Sequence, residues 1–253
     1  MANFRFYTNT PLNIGDTIQL SASAAAHATR ALRLNLDDEV IIFNGDGHDY
    51  GCTITSIKKN TVSVRVNQSQ QLNNESPLKI TLIQAISSGD RMDFTIQKAV
   101  ELGVTLIQPI TSQRSVVKLS TERAEKRIQH WQNIAISACE QSGRAVVPNV
   151  LAPLSLSQYF ALSQDFAKNT KKTDESILKI TLAPTANKDL KSLPQSSQYI
   201  QLLIGAEGGL SDDEILLSQR NGFEAIMLGQ RILRTETAGL AAIAAMQTLW
   251  GDF

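Results

Sequence analysis

Two short segments near the C-terminal end hold residues suited to chemistry. In Ile204-Gly205-Ala206-Glu207-Gly208-Gly209-Leu210-Ser211-Asp212-Asp213-Glu214, an apolar run leads straight into glycines, and Ser211 with Glu214 forms the S-x-x-E signature of a helix start. Glycines at the C-terminal end of a strand let a ligand approach the backbone, and ligands of open α/β sheets sit there. An ordinary tight strand-to-helix turn would use the same residues. The segment lacks the Gly-Lys-Ser/Thr of a phosphate-binding loop and the spaced glycines of a dinucleotide site, which argues against both classes. In Leu228-Gly229-Gln230-Arg231-Ile232-Leu233-Arg234-Thr235-Glu236-Thr237-Ala238, Arg231, Arg234 and Glu236 cluster beside apolar Ile232 and Leu233. This reads either as a charged site or as a surface ion-pair cluster. Thr235 is the expected N-cap of the C-terminal helix, with Glu236 in its first turn, where a carboxylate suits the helix dipole.

These turns need strands and helices to hold them. From Leu78 onward the pattern alternates: strands at 78–83, 104–110, 177–182, 199–204 and 225–228, and helices at 90–102 and 121–142. Ile128, Trp131, Ala135 and Ala138 give the second helix one apolar face. Strand–helix–strand order predicts an α/β domain with a mainly parallel sheet. Residues 165–175 read as a polar surface loop. Residues 3–66 differ: short β-branched and aromatic runs at 4–7, 17–20, 40–43 and 61–66, a turn at Asn44-Gly45-Asp46-Gly47 and one Ala-rich helical segment, 22–34, predict a small barrel-like β domain. The polar stretch 67–77 places the boundary, giving domains at 1–72 and 73–253.

The chain has 253 residues, 42% of them hydrophobic, which suits one large or two unequal globular domains. Lys+Arg and Asp+Glu both number 24, so a polyanion would have to bind a local patch. Cys52 and Cys139 stand alone and the three histidines lie far apart, which predicts no metal site and a reducing, cytoplasmic setting. No apolar run approaches the ~20 residues that span a bilayer, so no membrane partner is expected.

Taken together, the two segments resemble the last two signature segments of the RsmE family, SPOUT-superfamily methyltransferases that act on the ring N3 of uridine in small-subunit (16S) ribosomal RNA. Gln97-Lys98-Ala99-Val100-Glu101-Leu102-Gly103-Val104, Ser112-Gln113-Arg114-Ser115-Val116 and Ala138-Cys139-Glu140-Gln141-Ser142-Gly143-Arg144 leading to Pro148 match further segments. Arg5-Phe6-Tyr7 and Leu32-Arg33-Leu34 look like the family's start. Ala206 departs from the pattern, which usually has proline there.

The resemblance implies a PUA-like β-barrel domain followed by a SPOUT α/β domain threaded into a trefoil knot. It implies S-adenosylmethionine held by Leu182 and Ala183, by Ile204, Gly205, Glu207, Gly208 and Gly209, and by Leu228, Gly229, Ile232 and Leu233. Arg234 is expected to hold a phosphate or the charge developing on the uracil oxygens. Glu236 would orient Arg234 or assist proton loss. Arg5, Arg30, Arg33, Arg114 and Lys118 are the expected RNA contacts. A homodimer is implied, for which Trp131, Trp250 and the last helix are candidate contacts, although they serve equally as core. The competing readings are a SPOUT enzyme acting on a ribose 2′-hydroxyl and a non-catalytic RNA-binding assembly factor.

Overall fold

The computed structural model describes residues 4–59, 61–115, 121–169, 176–194 and 197–253, and side chains outside 121–123 and 164–169. The chain divides into two compact units, Met1–Glu75 with Ile136–Val147, and Ser76–Ala135 with Pro148–Phe253.

The first unit contains β1 (Arg5–Tyr7), β2 (Thr17–Gln19), a one-turn helix α1 (Ala22–Ala26) running into a π-helical turn at His27–Ala31, β3 (Glu39–Phe43), β4 (His48–Lys58) and β5 (Thr61–Gln71). They form one sheet in the order β1-β3-β4-β5-β2, antiparallel except for β1 beside β3. Strand β4 has no counterpart in the sequence reading, although Tyr50, Cys52 and Ile54 bury every second side chain. Strand β5 runs on through Gln71, where a linker was expected. Its polar end, Asn67–Gln71, shows no apolar alternation because backbone pairing with 48–51 holds it there. Residues 136–147, assigned by sequence to the second domain, group with this unit.

The second unit contains β6 (Lys79–Ala85), α2 (Arg91–Glu101), β7 (Leu106–Thr111), α3 (Thr121–Ser142), β8 (Asn149–Val150), β9 (Leu154–Ser155), α4 (Leu156–Asn169), β10 (Ile177–Leu182), β11 (Tyr199–Ile204), α5 (Asp212–Arg220), β12 (Glu224–Ile226) and α6 (Thr235–Trp250). The sheet order is β12-β10-β11-β6-β7-β8, with β9 on β7 and every pairing parallel. Ile80, Leu82, Ile83, Ile180, Leu202 and Leu203 are fully buried, as strands covered on both faces require. Residues 165–169, read as loop, complete α4, whose Tyr159 and Phe160 pack against Phe223 and Leu210. Trp131 is core, 2% exposed, and its indole N–H donates to Asp93 Oδ1. Among the described residues no helix is long and apolar enough to cross a membrane.

Candidate active site

Parallel strands end together, so the turns after β6, β10, β11 and β12 gather at one edge of the sheet. Those after β10, β11 and β12 enclose a cleft of about 550 Å³. Leu182 and Ala183 close it from β10. Ile204, Gly205, Glu207, Gly208 and Gly209 close it from β11. Leu228, Gly229, Ile232 and Leu233 close it from the turn after β12. Pro184, Thr185, Met227 and Gln230, which the sequence reading passed over, also line it.

The glycines set the width of this cleft. A Cβ on Gly205 would lie 2.7 Å from the backbone of Gly209 and Leu210, so the turn can fold back on itself only without a side chain there. Gly209 has φ +70, which favours glycine, and a Cβ on it would meet nothing within 4 Å, so the space before it is open. The turn closes through Gly209 N–H donating to Ala206 C=O at 2.8 Å.

Several side chains brace the turn. Ser211 caps α5 in a capping box with Glu214. The Glu214 Oε1 left over from that box accepts the Gln113 N–H at 2.8 Å. Beside it, Arg114 lines the cleft and donates through Nη1 to Gly208 C=O at 2.9 Å and Leu210 C=O at 3.3 Å. Arg114, expected on RNA, is thus already engaged in holding the glycine turn.

Thr235 is not the N-cap. Arg234 occupies that position without a side-chain cap, and Thr235 is the first helical residue. Its hydroxyl donates to Gly205 C=O and accepts from Gln84 Nε2 at 3.0 Å. One buried threonine therefore ties the turn after β11 to the start of α6. Its charged neighbours in sequence, Arg234 and Glu236, point to a helix start, but the partners lie 30 and 151 residues away.

Glu207 lines the cleft with its backbone turn, while its Oε1 accepts from Ser88 N–H, Ser88 Oγ and Arg91 Nη1, each at 2.8 Å. Burial alone would raise its carboxyl; the Ser88 and Glu207 N–H groups, the Ser88 hydroxyl and Arg91 outweigh that and hold it down at about 2. Arg91 Nε also lies 4.0 Å from Glu236 Oε1. Glu236 faces Arg91 rather than the expected Arg234, which stands exposed with no ion pair among the described residues. Ser88 and Arg91 carry no motif, but they follow β6, at the same sheet edge as the two glycine turns.

Three further basic candidates lie in the first unit. Arg5 is not a surface cation. Its side chain is 8% exposed, pairs with Asp49, donates to Arg144 C=O at 3.1 Å and lies over the Phe43 ring. Arg30 and Arg33 are exposed, and Arg30 shares a small hollow with Lys58 and Lys59. Lys118 lies outside the described residues. Cys52 and Cys139 are free and buried, and burial pushes both thiols up to about 12. Among the described residues no group of three or more His, Cys, Asp or Glu side chains is arranged to hold a metal.

The sequence matches the RNA methyltransferase domain over residues 74–247 and the RNA methyltransferase PUA domain over 20–67. It is 34% identical over 249 residues to Ribosomal RNA small subunit methyltransferase E of Buchnera aphidicola from Acyrthosiphon pisum, covering 98% of this chain and 94% of that one. The Bacillus subtilis protein of the same name is 33% identical, over 94% of this chain and 93% of its own. The crystal structure of the Neisseria gonorrhoeae protein of that name, bound to S-adenosyl methionine, superposes with a TM-score of 0.88 at 43% identity, covering 99% of each chain. A Legionella pneumophila methyltransferase structure with bound SAM superposes at 0.91 and 37% identity over the whole of both chains. A PUA domain and a parallel α/β domain in this order, matched along their full length, place the chain in the RNA methyltransferase family that includes Ribosomal RNA small subunit methyltransferase E.

Proposed function

We propose that the protein transfers a methyl group from S-adenosylmethionine to N3 of a uridine in 16S ribosomal RNA, acting in the cytoplasm. The observation that carries this reading is the single cleft onto which both glycine turns and the end of β10 converge. Its volume lies within the usual ~300–1,000 Å³ of small-molecule sites. Its lining also fits the donor: Ile232 and Leu233 offer apolar faces for adenine, open space lies before Gly209 and Gly229, and backbone groups stand near for polar edges.

The bound donor supplies an electrophilic methyl on a sulfonium. The protein has to align the acceptor in line with it, remove the N3 proton and place charge, so positioning dominates the rate. N3 sits on the Watson–Crick edge, and the target uridine must leave any pair or stack before attack. Arg234 is the proposed holder of a phosphate or of the charge on the uracil oxygens. Arg30 and Arg33 are the proposed phosphate contacts of the first unit, with Arg114 a further candidate at the cleft; Arg5 is withdrawn because its guanidinium is buried and paired. The trefoil knot is proposed from the family resemblance, for a parallel sheet of order β12-β10-β11-β6-β7-β8. We also propose a homodimer. Ile232, 86% exposed, with Leu249 and Phe253 at 45% and 62%, offers apolar surface for it, whereas buried Trp131 does not.

Small ribosomal subunits lacking the modification, incubated with labelled S-adenosylmethionine and digested to nucleosides, should yield 3-methyluridine. A ribose-methylated product would favour the 2′-hydroxyl reading, and absence of turnover would favour an assembly factor. Subunit affinity should fall steeply with salt, because phosphate contacts release counterions. A flat response would remove Arg30 and Arg33 from the interface.

A further inference from the structure

The bond between Thr235 and the glycine turn has a third member, Gln84. It stands in β6 beside Ile204 of β11, so the parallel register sets it next to the strand residue that precedes Gly205. Gln84 is fully buried. Its Nε2 donates to Ala85 C=O and to Thr235 Oγ1, both at 3.0 Å. The Thr235 hydroxyl in turn donates to Gly205 C=O at 2.5 Å. Gln84 Oε1 has no hydrogen-bond partner among the described residues. It lies against α6 at Gly239, where a Cβ would be 3.5 Å from it.

An amide oxygen buried without a partner is unfavourable, and an apolar side chain of similar size would avoid it. The other half of the amide accounts for a glutamine here. A threonine hydroxyl has one proton and two lone pairs, and it rotates to suit its partners. With Nε2 donating to the Thr235 oxygen, the hydroxyl proton is directed to Gly205 C=O. The opposite amide orientation would set Oε1 against Ala85 C=O, acceptor to acceptor, and would draw the Thr235 proton away from Gly205. The order amide, hydroxyl, carbonyl is therefore fixed, and bonds in such a chain strengthen one another. The chain ends at the first glycine of the turn, and Gly205 and Thr235 both line the cleft.

We propose that Gln84 and Thr235 are positioning residues for the methyl donor: their relay holds the Gly205 peptide, and with it the turn at 205–209, in the shape that receives S-adenosylmethionine. The inference rests on the proposed methyl transfer and specifies what keeps its donor site preformed. Neither residue acts on the reacting atoms. A glycine does not hold one conformation by itself, and the turn's own closure, Gly209 N–H to Ala206 C=O, does not fasten Gly205. A turn held in place before binding need not be ordered by the ligand, which raises affinity. The unpartnered Oε1 is the stability that the fold forgoes for this. Loss of the relay should therefore weaken donor binding more than it weakens the fold.

The test uses the full-length protein, calorimetric titration of S-adenosylmethionine, urea denaturation, and steady-state kinetics on small subunits. Thr235→Val keeps the side-chain shape and removes the hydroxyl. It should raise Kd and KM for the donor by roughly tenfold, the scale of one lost hydrogen bond, with kcat at saturating donor nearly retained. Thr235→Ser should restore both constants. A merely structural defect would instead lower the folded fraction, so kcat would fall at unchanged donor KM. The double variant Gln84→Met with Thr235→Val removes the orphaned oxygen along with the relay. Its urea midpoint should stay near that of wild type, because both polar partners leave together, while its donor Kd rises as in Thr235→Val. The double variant also decides the matter if Thr235→Val alone does not fold. Unchanged donor Kd in either variant, a loss that Thr235→Ser fails to recover, or a fall in kcat at unchanged donor KM would overturn the proposal. Failure of the proposed function looks different: wild-type enzyme would itself make no 3-methyluridine, whatever the variants do to donor affinity.

Discussion

Both units of the chain carry arginine–carboxylate pairs, but they differ in what surrounds the charges. In the first unit Arg144 is 5% exposed and grips both oxygens of Glu75, and Arg5 with Asp49 is similarly enclosed. In the second unit Arg91 is 41% exposed and shared unequally: its Nη1 donates to Glu207 at 2.8 Å, beside two bonds from Ser88, while Glu236 is left at 4.0 Å. Enclosed, closely bonded pairs hold a fold together. The same residue types are thus enclosed and fully paired in one place and half-exposed and loosely paired in the other.

The largest effect expected from this contrast is on stability. Arg144→Ala strands Glu75 and should cost about 3–5 kcal/mol, the usual result of breaking a buried pair. Urea denaturation should show it, and a change below 1 kcal/mol would mean that the pair is effectively solvated. Arg234→Ala should leave the folded state intact and lower kcat by ~10²–10³-fold, the scale of one lost transition-state charge contact. Calorimetry should find donor affinity nearly unchanged, and an active variant would remove Arg234 from the reaction.

Gly205→Ala should be smaller. Its Cβ would press on the backbone of Gly209 and Leu210, forcing the turn to open at a cost of about 1–3 kcal/mol. The loss should appear mainly as weaker donor binding; unaltered affinity would mean the turn does not shape the cleft. The smallest effect concerns Glu207. Its carboxyl lies at about 2 in the fold against an ordinary 4.5. A lowered folded value stabilises the protein above pH 4.5, and the contribution fades as pH falls toward about 2. The stability difference between wild type and Glu207→Gln, measured by urea at pH 7 and pH 3, should therefore shrink at the lower pH. An equal difference at both would show that the Ser88 and Arg91 bonds do not depend on the ionised form.

Much of the architecture was legible because it is local. Apolar runs marked β10 and β11 at their observed ends, spacing marked α3, and glycines with a capping box marked the turn into α5. All eleven proposed donor-binding residues line one cleft. Legibility failed where backbone pairing replaced side-chain pattern. The polar end of β5 looked like linker, and β4 hid its alternation among Asp, Gly, Thr and Ser. Arg5 looked like an RNA contact because sequence shows a charge but not the Asp49 that faces it.

From the sequence alone one can place most of the strands, the glycine turns and the family resemblance, since each depends on residues near one another along the chain. Only the tertiary structure assigns the side chains between those turns. Thr235 spans 30 residues to reach Gly205, and Arg91 spans 116 to reach Glu207. Such partners are chosen by the parallel sheet, which brings the ends of β6, β10, β11 and β12 to one edge, and no periodicity along the chain records that choice.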